Sequence, residues 1–262
     1  MCLSGLPAEE KGKSPELTFV QLSDLHCARV QKNPPRRFPM DPHVKDLRGS
    51  FDWLRAAVND VNENVQPDFV VITGDVVDKG ADLKSLRKAR EILDRLDCPY
   101  FPVLGDHDSP EAFEKVFDRE LNYSFVFSGW EFVALGCRSG KVSNEGLELL
   151  DEVADRAPDS RVVLLLHRPL WVNASLEWLA RKLYAEHLQL KHKNSESVLE
   201  RVAGADSIRA VIAGHIHTDS RVRKNGVTQF TSGSLIESPH TYRVYRVIED
   251  GLESDLRTVS LD

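Results

Sequence analysis

Nearly uninterrupted apolar runs recur along the chain at Leu17 to Leu22, Phe69 to Thr73, Tyr100 to Leu104, Val162 to Leu166 and Ile208 to Ala213. A strand covered on both faces has no polar side to show, so these segments predict central strands. Between them Phe51, Leu54, Ala57, Val58 and Val61 recur at helical spacing, as do Leu83, Leu86, Ala89, Ile92 and Leu93. Both stretches predict crossover helices, and strands alternating with helices predict an α/β domain. The second half adds hairpins. Tyr123 to Phe127 and Trp130 to Leu135 flank Ser128-Gly129, Arg221 to Arg223 and Val227 to Thr231 flank Lys224-Asn225-Gly226, and Thr241 to Ile248 and Glu253 to Val259 flank Glu249 to Leu252. Antiparallel strands thus join an otherwise parallel arrangement. With no repeat and no low-complexity linker, residues 16–262 are expected to form one domain behind a loose tail over residues 1–15.

Composition narrows the class. At 262 residues and 41% hydrophobic the chain can build a sizeable core, and neither disorder nor a fibrous protein is indicated. A net charge of -7 argues against a protein that grips long nucleic acid through its phosphates. Cys2, Cys27, Cys98 and Cys137 are scattered without a Cys-x-x-Cys pair, which predicts reduced thiols. No apolar run reaches the roughly 18 residues that span a bilayer, and the first residues carry charge where an export signal is greasy. A cytoplasmic protein without membrane contact is expected.

The candidate chemistry lies where the apolar runs stop. They end in Asp24, Asp75, Asp106, His167 and His215, all residues able to bind a metal. Sites of open α/β sheets form at the carboxyl ends of strands, so side chains remote in sequence can converge there. Glycines 74, 105 and 214 allow the backbone to turn tightly at that edge. Asp24-x-His26 and His215-x-His217 place paired ligands two positions apart, where an extended backbone would point both the same way. One Asp-x-His triplet carries no weight, and a buried histidine is usually only hydrogen-bonded, but ligands at every strand end point to a metal cluster. Imidazole with carboxylate and without thiolate suits Mn, Fe, Zn or Co.

The ordered motifs Asp24-x-His26, Gly74-Asp75-x-x-Asp78, Gly105-Asp106-His107-Asp108, His167 and Gly214-His215-x-His217 resemble the calcineurin-like metallophosphoesterase superfamily, over residues 16 to about 235. The resemblance implies a four-layer αββα sandwich, two mixed sheets flanked by helices, with two divalent or mixed-valence transition metals at the strand ends. It assigns Asp24, His26, Asp75 and His217 to the first metal and Asp75, Asp106, His167 and His215 to the second, with Asp75 bridging. The implied activity is hydrolysis of a small-molecule phosphodiester or phosphomonoester by metal-activated hydroxide. His107 is the candidate to contact the phosphoryl group or protonate the leaving oxygen. Asp78 would orient its ring through the carboxylate, or else cap the helix before Leu83.

Asp106 departs from the family's usual asparagine. An extra ionised carboxylate would cancel the single positive charge that draws in an anion, so weakened or altered activity is expected. The bacterial cyclic-nucleotide phosphodiesterase and glycerophosphodiesterase group (class III) is the nearest resemblance, with its His-His-Pro-Pro replaced by His167-Arg168-Pro169-Leu170. Substrate choice is expected from two segments. Cys27 to Asp46 offers Arg29, Lys32, Arg36 and Arg37 to a phosphate, and Trp171 to Leu190 carries an apolar stripe able to pack, cap the site or pair two subunits as a homodimer. The rival functions are a non-catalytic metal-binding interaction module on the same fold and a metal-dependent nuclease.

Overall fold

The computed structural model describes residues 17–33, 44–156, 160–173, 190–249 and 251–261. The tail expected over residues 1–15 lies outside them.

The apolar runs become strands in two large mixed sheets. One has the order β13 (Gly251–Thr258), β12 (Thr241–Ile248), β1 (Thr18–Leu22), β2 (Phe69–Ile72) and β3 (Tyr100–Pro102). The other runs β10 (Ser220–Lys224), β11 (Val227–Thr231), β9 (Ile208–Ala213), β8 (Arg161–Leu166), β5 (Trp130–Leu135) and β4 (Asn122–Phe127). A short ribbon joins β6 (Cys137–Arg138) to β7 (Lys141–Val142).

Side-chain alternation along the strands produces the layers. Phe19, Phe69 and Val71 face Phe132, Val163, Leu165 and Ile212 of the other sheet. Phe19 stacks on Phe69 with ring centroids 4.9 Å apart and on Tyr245 at 4.7 Å, and Phe132 meets it edge-on. The intervening residues Val20, Leu22, Val70 and Ile72 point outward to α1 (Ser50–Asp60), α2 (Leu83–Leu93) and α3 (Pro110–Phe117). On the far side Val162, Leu164 and Leu166 meet α4 (Asn144–Ala154) and α5 (Ser195–Gly204). The result is the four-layer αββα sandwich.

Tyr100 to Leu104 was expected to be central, yet β3 is an edge strand. Pro102 has no N–H to donate to a further neighbour, which suits an edge. The run is apolar for another reason: Phe101 enters the inter-sheet core and stacks on Phe125 at 3.6 Å, while Val103 and Leu104 are buried beyond the strand. Lys224, expected in a turn, pairs instead with Val227, so the two hairpin turns are Ser128-Gly129 and Asn225-Gly226. All four residues have positive φ, which matches the twist of the flanking strands.

Beneath the strand ends a polar network crosses between sheets. Gln21 Nε2 donates to Thr73 Oγ1 and to the carbonyl of Ala213, both at 2.8 Å, and its Oε1 accepts from the Tyr245 hydroxyl at 2.7 Å. Thr73 Oγ1 donates to Ser23 Oγ at 2.8 Å, and that hydroxyl to Asp24 Oδ2 at 2.6 Å. Gln21 is thus fully satisfied in the core and ties β1 to the end of β9, so the two halves of the site share one register.

Candidate metal centre

The loops after β1 and β2 remain paired beyond their strands. Asp24 N–H donates to the carbonyl of Gly74, His26 N–H to Asp75 and Cys27 N–H to Val76. This brings Asp24, His26 and Asp75 side by side. The conformation is not the extended one expected: Asp24, His26, Asp75, His215 and His217 all lie in the left-handed region, with φ between 40° and 68°. Such backbone is uncommon for residues with a Cβ and persists only where the surroundings over-determine it. Each pair converges because both members are left-handed, not because they share a strand face.

Two glycines make the approach possible. A Cβ on Gly105 would lie 2.1 Å from the Asp75 nitrogen, and one on Gly214 would lie 2.0 Å from Ser23 Oγ. Neither position tolerates a side chain, because the loops touch there.

The ligand-capable atoms gather in overlapping clusters, Asp24 with His26 and His217, His26 with Asp75 and His107, and Asp75 with His167 and His215. Asp75 connects them. Its Oδ2 lies 3.7 Å from His26 Nε2, and its Oδ1 lies 3.3 Å from His167 Nε2. Asp106 closes the second cluster, with Oδ2 3.3 Å from His215 Nδ1 and 3.7 Å from His167 Nε2. Asp24 Oδ1 and His167 Nε2 are buried yet make no hydrogen bond among the described residues, although His217 Nε2 is 3.2 Å from the former. Nitrogen and oxygen atoms gathered this closely converge on shared points, as ligands of a cation do. The donors that converge there are carboxylate oxygens and imidazole nitrogens, a set that fits transition metals.

Outer contacts set which ring nitrogen is presented. His167 Nδ1 faces the carbonyl of Thr73 at 2.8 Å, and His217 Nδ1 faces Glu237 Oε1 at 2.6 Å, leaving both Nε2 atoms inward. Burial disfavours charge on His167, but Asp75 outweighs it and raises its pKa to about 10. His217 rises to about 9 against the same penalty through Asp24 and Glu237. Asp24 and Asp75 are held below the usual carboxylate range, because these imidazoliums outweigh the burial that would raise them. Without metals the rings are the counter-ions of the carboxylates. His215 falls to about 4, through burial and then the neighbouring His167 and Arg168 charges. Asp108 accepts N–H bonds from Val76, Val77 and Gly105, pinning the loop after β3 to the loop after β2. Burial and the adjacent Asp75 push its pKa up to about 6.

His107 is exposed at the rim, its backbone N–H donating to Asp75 Oδ1 at 2.8 Å. Its ring is oriented by Asp78, though through a different atom from the one expected: Nδ1 meets the Asp78 carbonyl at 2.7 Å. The Asp78 carboxylate instead lies 3.6 Å from His26 Nδ1 and 3.8 Å from Lys45 Nζ. Nor does Asp78 cap α2, whose first turn is capped by Asp82.

The expected charge deficit at Asp106 is offset by Arg168, whose Nε donates to Asp106 Oδ2 at 2.7 Å. Cys137 Sγ donates to the other oxygen at 3.0 Å. Sequence reasoning had also missed Glu237 and Lys45, whose Nζ is 3.0 Å from His26 Nε2. Of the cations expected to reach a phosphate, Arg29 pairs with Asp82 at 3.2 Å and Lys32 is exposed, while Arg36 and Arg37 lie outside the described residues. Of the segment Trp171 to Leu190, residues 174–189 also lie outside them, while Val172 packs with Leu190 and Ile216.

A probable cyclic nucleotide phosphodiesterase of Synechococcus is 26% identical over 230 residues, which cover 84% of this chain and 80% of that protein. A probable glycerophosphodiester phosphodiesterase of Arcobacter nitrofigilis is 25% identical over 217 residues, covering 74% and 76%. A dimetal phosphatase from Danio rerio has the same fold, with a TM-score of 0.71 at 18% identity over 93% of this chain and 99% of its own. The sequence profile described as calcineurin-like phosphoesterase matches residues 17–219, and with the left-handed strand ends, shared Asp75 and histidine clusters just described, the chain belongs to the calcineurin-like phosphoesterase family.

Proposed function

We propose that this protein is a dinuclear metal-dependent hydrolase of small phosphodiesters. Asp24, His26, Asp75 and His217 would hold one ion, and Asp75, Asp106, His167 and His215 the other. The observation that carries this reading is Asp75, whose two oxygens face separate histidine clusters. Mn, Fe, Zn and Co all suit the nitrogen and oxygen donors, and the named activities of the relatives favour a diester. When bound, two such cations acidify a shared water and polarise a phosphoryl oxygen. His107, whose Nδ1–H is anchored on the Asp78 carbonyl, presents Nε2 to the leaving oxygen and would protonate it from the doubly protonated ring. Lys45 adds a positive charge beside His26 for an anionic substrate.

Residues 16–262 act as one unit in this proposal. The late strand β12 pairs with β1, and Ser234 Oγ donates to the carbonyl of Asp24, so the chain beyond the matched family region supports the site. Cys27, Cys98 and Cys137 are free thiols, which suits the cytoplasm, and no helix among the described residues is long and apolar enough to cross a membrane.

The test is elemental analysis of Mn-loaded protein together with hydrolysis of bis-p-nitrophenyl phosphate, p-nitrophenyl phosphate and cyclic nucleotides. About two ions per chain and Mn-dependent diester cleavage are expected. A single bound ion would sink the dinuclear assignment, and two ions without turnover on any ester would indicate the non-catalytic module.

Glu237→Gln should weaken metal retention about 10–100-fold, the usual scale for a carboxylate that orients a ligating histidine. Chelator competition reads this directly. Unchanged retention would mean that the 2.6 Å contact with His217 is incidental.

Asp106→Asn is no longer a simple gain of positive charge, because it leaves the largely buried Arg168 guanidinium without its carboxylate. Asp106→Asn and Arg168→Met are each expected to destabilise the metal-free protein, and the double variant by less than their sum, with a coupling of about 0.5–3 kcal/mol. Urea unfolding measures the cycle. Simple additivity would show that the ion pair does not stabilise the fold.

A further inference from the structure

Resting on the phosphoesterase reading, we propose that His192 is a substrate-contacting residue, donating a ring N–H to a phosphoryl oxygen on the second-cluster side of the site. His192 is 2% exposed, and neither ring nitrogen has a hydrogen-bond partner among the described residues. A buried imidazole left this way forfeits bonds it would make in water, at a cost proteins seldom accept without a ligand to meet it.

Its surroundings identify that ligand. The electrostatic neighbours of the ring include His167, Arg168, Asp106 and His215, the residues around the second cluster. The backbone is held in place there. Leu190 packs with Ile216, the residue between His215 and His217. Arg168 Nη1 donates to the Lys191 carbonyl at 3.1 Å, and Lys193 N–H to the Gly140 carbonyl at 2.8 Å. The His192 carbonyl accepts from Ser195 N–H at 3.0 Å as the chain enters α5. His192 is therefore carried on a braced segment and buried beside the ligands, outside the three groups of convergent ligand atoms. Asp75, Asp106, His167 and His215 already supply the second ion in the proposed function, so His192 is taken as a neighbour of those ligands. Hydrogen bonding is the remaining use for the ring, and a phosphoryl oxygen is the acceptor that a phosphoesterase brings to this place. No bond is made or broken by His192 itself.

The experiment is calorimetric titration of Mn-loaded protein with inorganic phosphate, together with Mn stoichiometry, for wild type, His192→Ala, His192→Gln and His192→Leu. Phosphate should bind about tenfold more weakly to the Ala and Leu variants, the scale of one hydrogen bond to a charged acceptor, with the Mn count unchanged. Gln retains a donor and should recover part of the affinity. If the Ala variant does not fold, Gln against Leu carries the comparison. Equal phosphate affinity in all folded variants overturns the proposal, leaving His192 a structural residue. A lost ion also overturns it, by making His192 a ligand. Wild-type protein that binds phosphate without regard to Mn would instead overturn the underlying phosphoesterase reading, and this proposal with it.

Discussion

Asp75→Ala is expected to strip the protein of both metals and of all ester hydrolysis. Its oxygens approach His26 on one side and His167 on the other, which makes it the carboxylate shared by the two proposed ions. The rate loss should exceed the about 10²–10⁴-fold that a single proton-transfer group is worth, because the whole metal centre goes with the carboxylate. Asp75→Asn separates charge from shape, since its amide oxygen can still accept the His107 N–H. The metal-free variants give a second reading. Burial alone would lower the pKa of His167, and Asp75 outweighs it to hold the ring at about 10, against an ordinary value of 6.5. The raised folded value means that this pair stabilises the metal-free fold fully below about 6.5 and that the contribution fades as pH rises through about 10. In Asp75→Asn the ring should titrate markedly lower by NMR. Elemental analysis decides the main claim: an Asp75 variant that folds and still retains two ions refutes the bridging role.

His107→Ala should lower turnover about 10²–10⁴-fold while both metals stay bound. The separation follows from the site's layout, in which the ring stands exposed at the rim and is anchored to the Asp78 carbonyl. Esters with poor leaving groups should suffer most, because nitrophenolate departs with little need of a proton. The measurement is kcat/KM across a series of diesters of increasing leaving-group pKa, for wild type and variant at equal Mn occupancy. A uniform loss across the series would move His107 from proton donor to phosphate contact. Asp78→Ala should have a small effect on that slope, since its carbonyl orients the ring and survives the substitution.

The strand runs, the helices between them and the metal-capable residues at the strand ends were legible in the sequence because each depends on local order. A residue's neighbours two or four positions away decide whether it lies on a covered strand or on a helix face. Chemistry at a strand end is read by residue type alone. Other features needed the fold. Val20 and Phe19 are adjacent and equally apolar, and only the stacking of two sheets sends one toward the helices and the other into the inter-sheet core. Asp78 meets His107 through its carbonyl while its carboxylate lies toward His26 and Lys45, a choice of atom that spacing along the chain does not reveal. Glu237 sits in a loop with no periodic pattern, and it gains its meaning only when β12 returns beside β1 and brings it against His217. Asp106 and Arg168 are separated by 62 positions, so an unusual carboxylate and its compensating cation read as two unrelated departures until one contact joins them. Hydrophobic periodicity is a property of neighbours along the chain, whereas charge compensation and ligand orientation are properties of neighbours in space. The sequence therefore determined which residues could form the centre, and the packing of the two sheets decided how those residues are oriented, paired and charged.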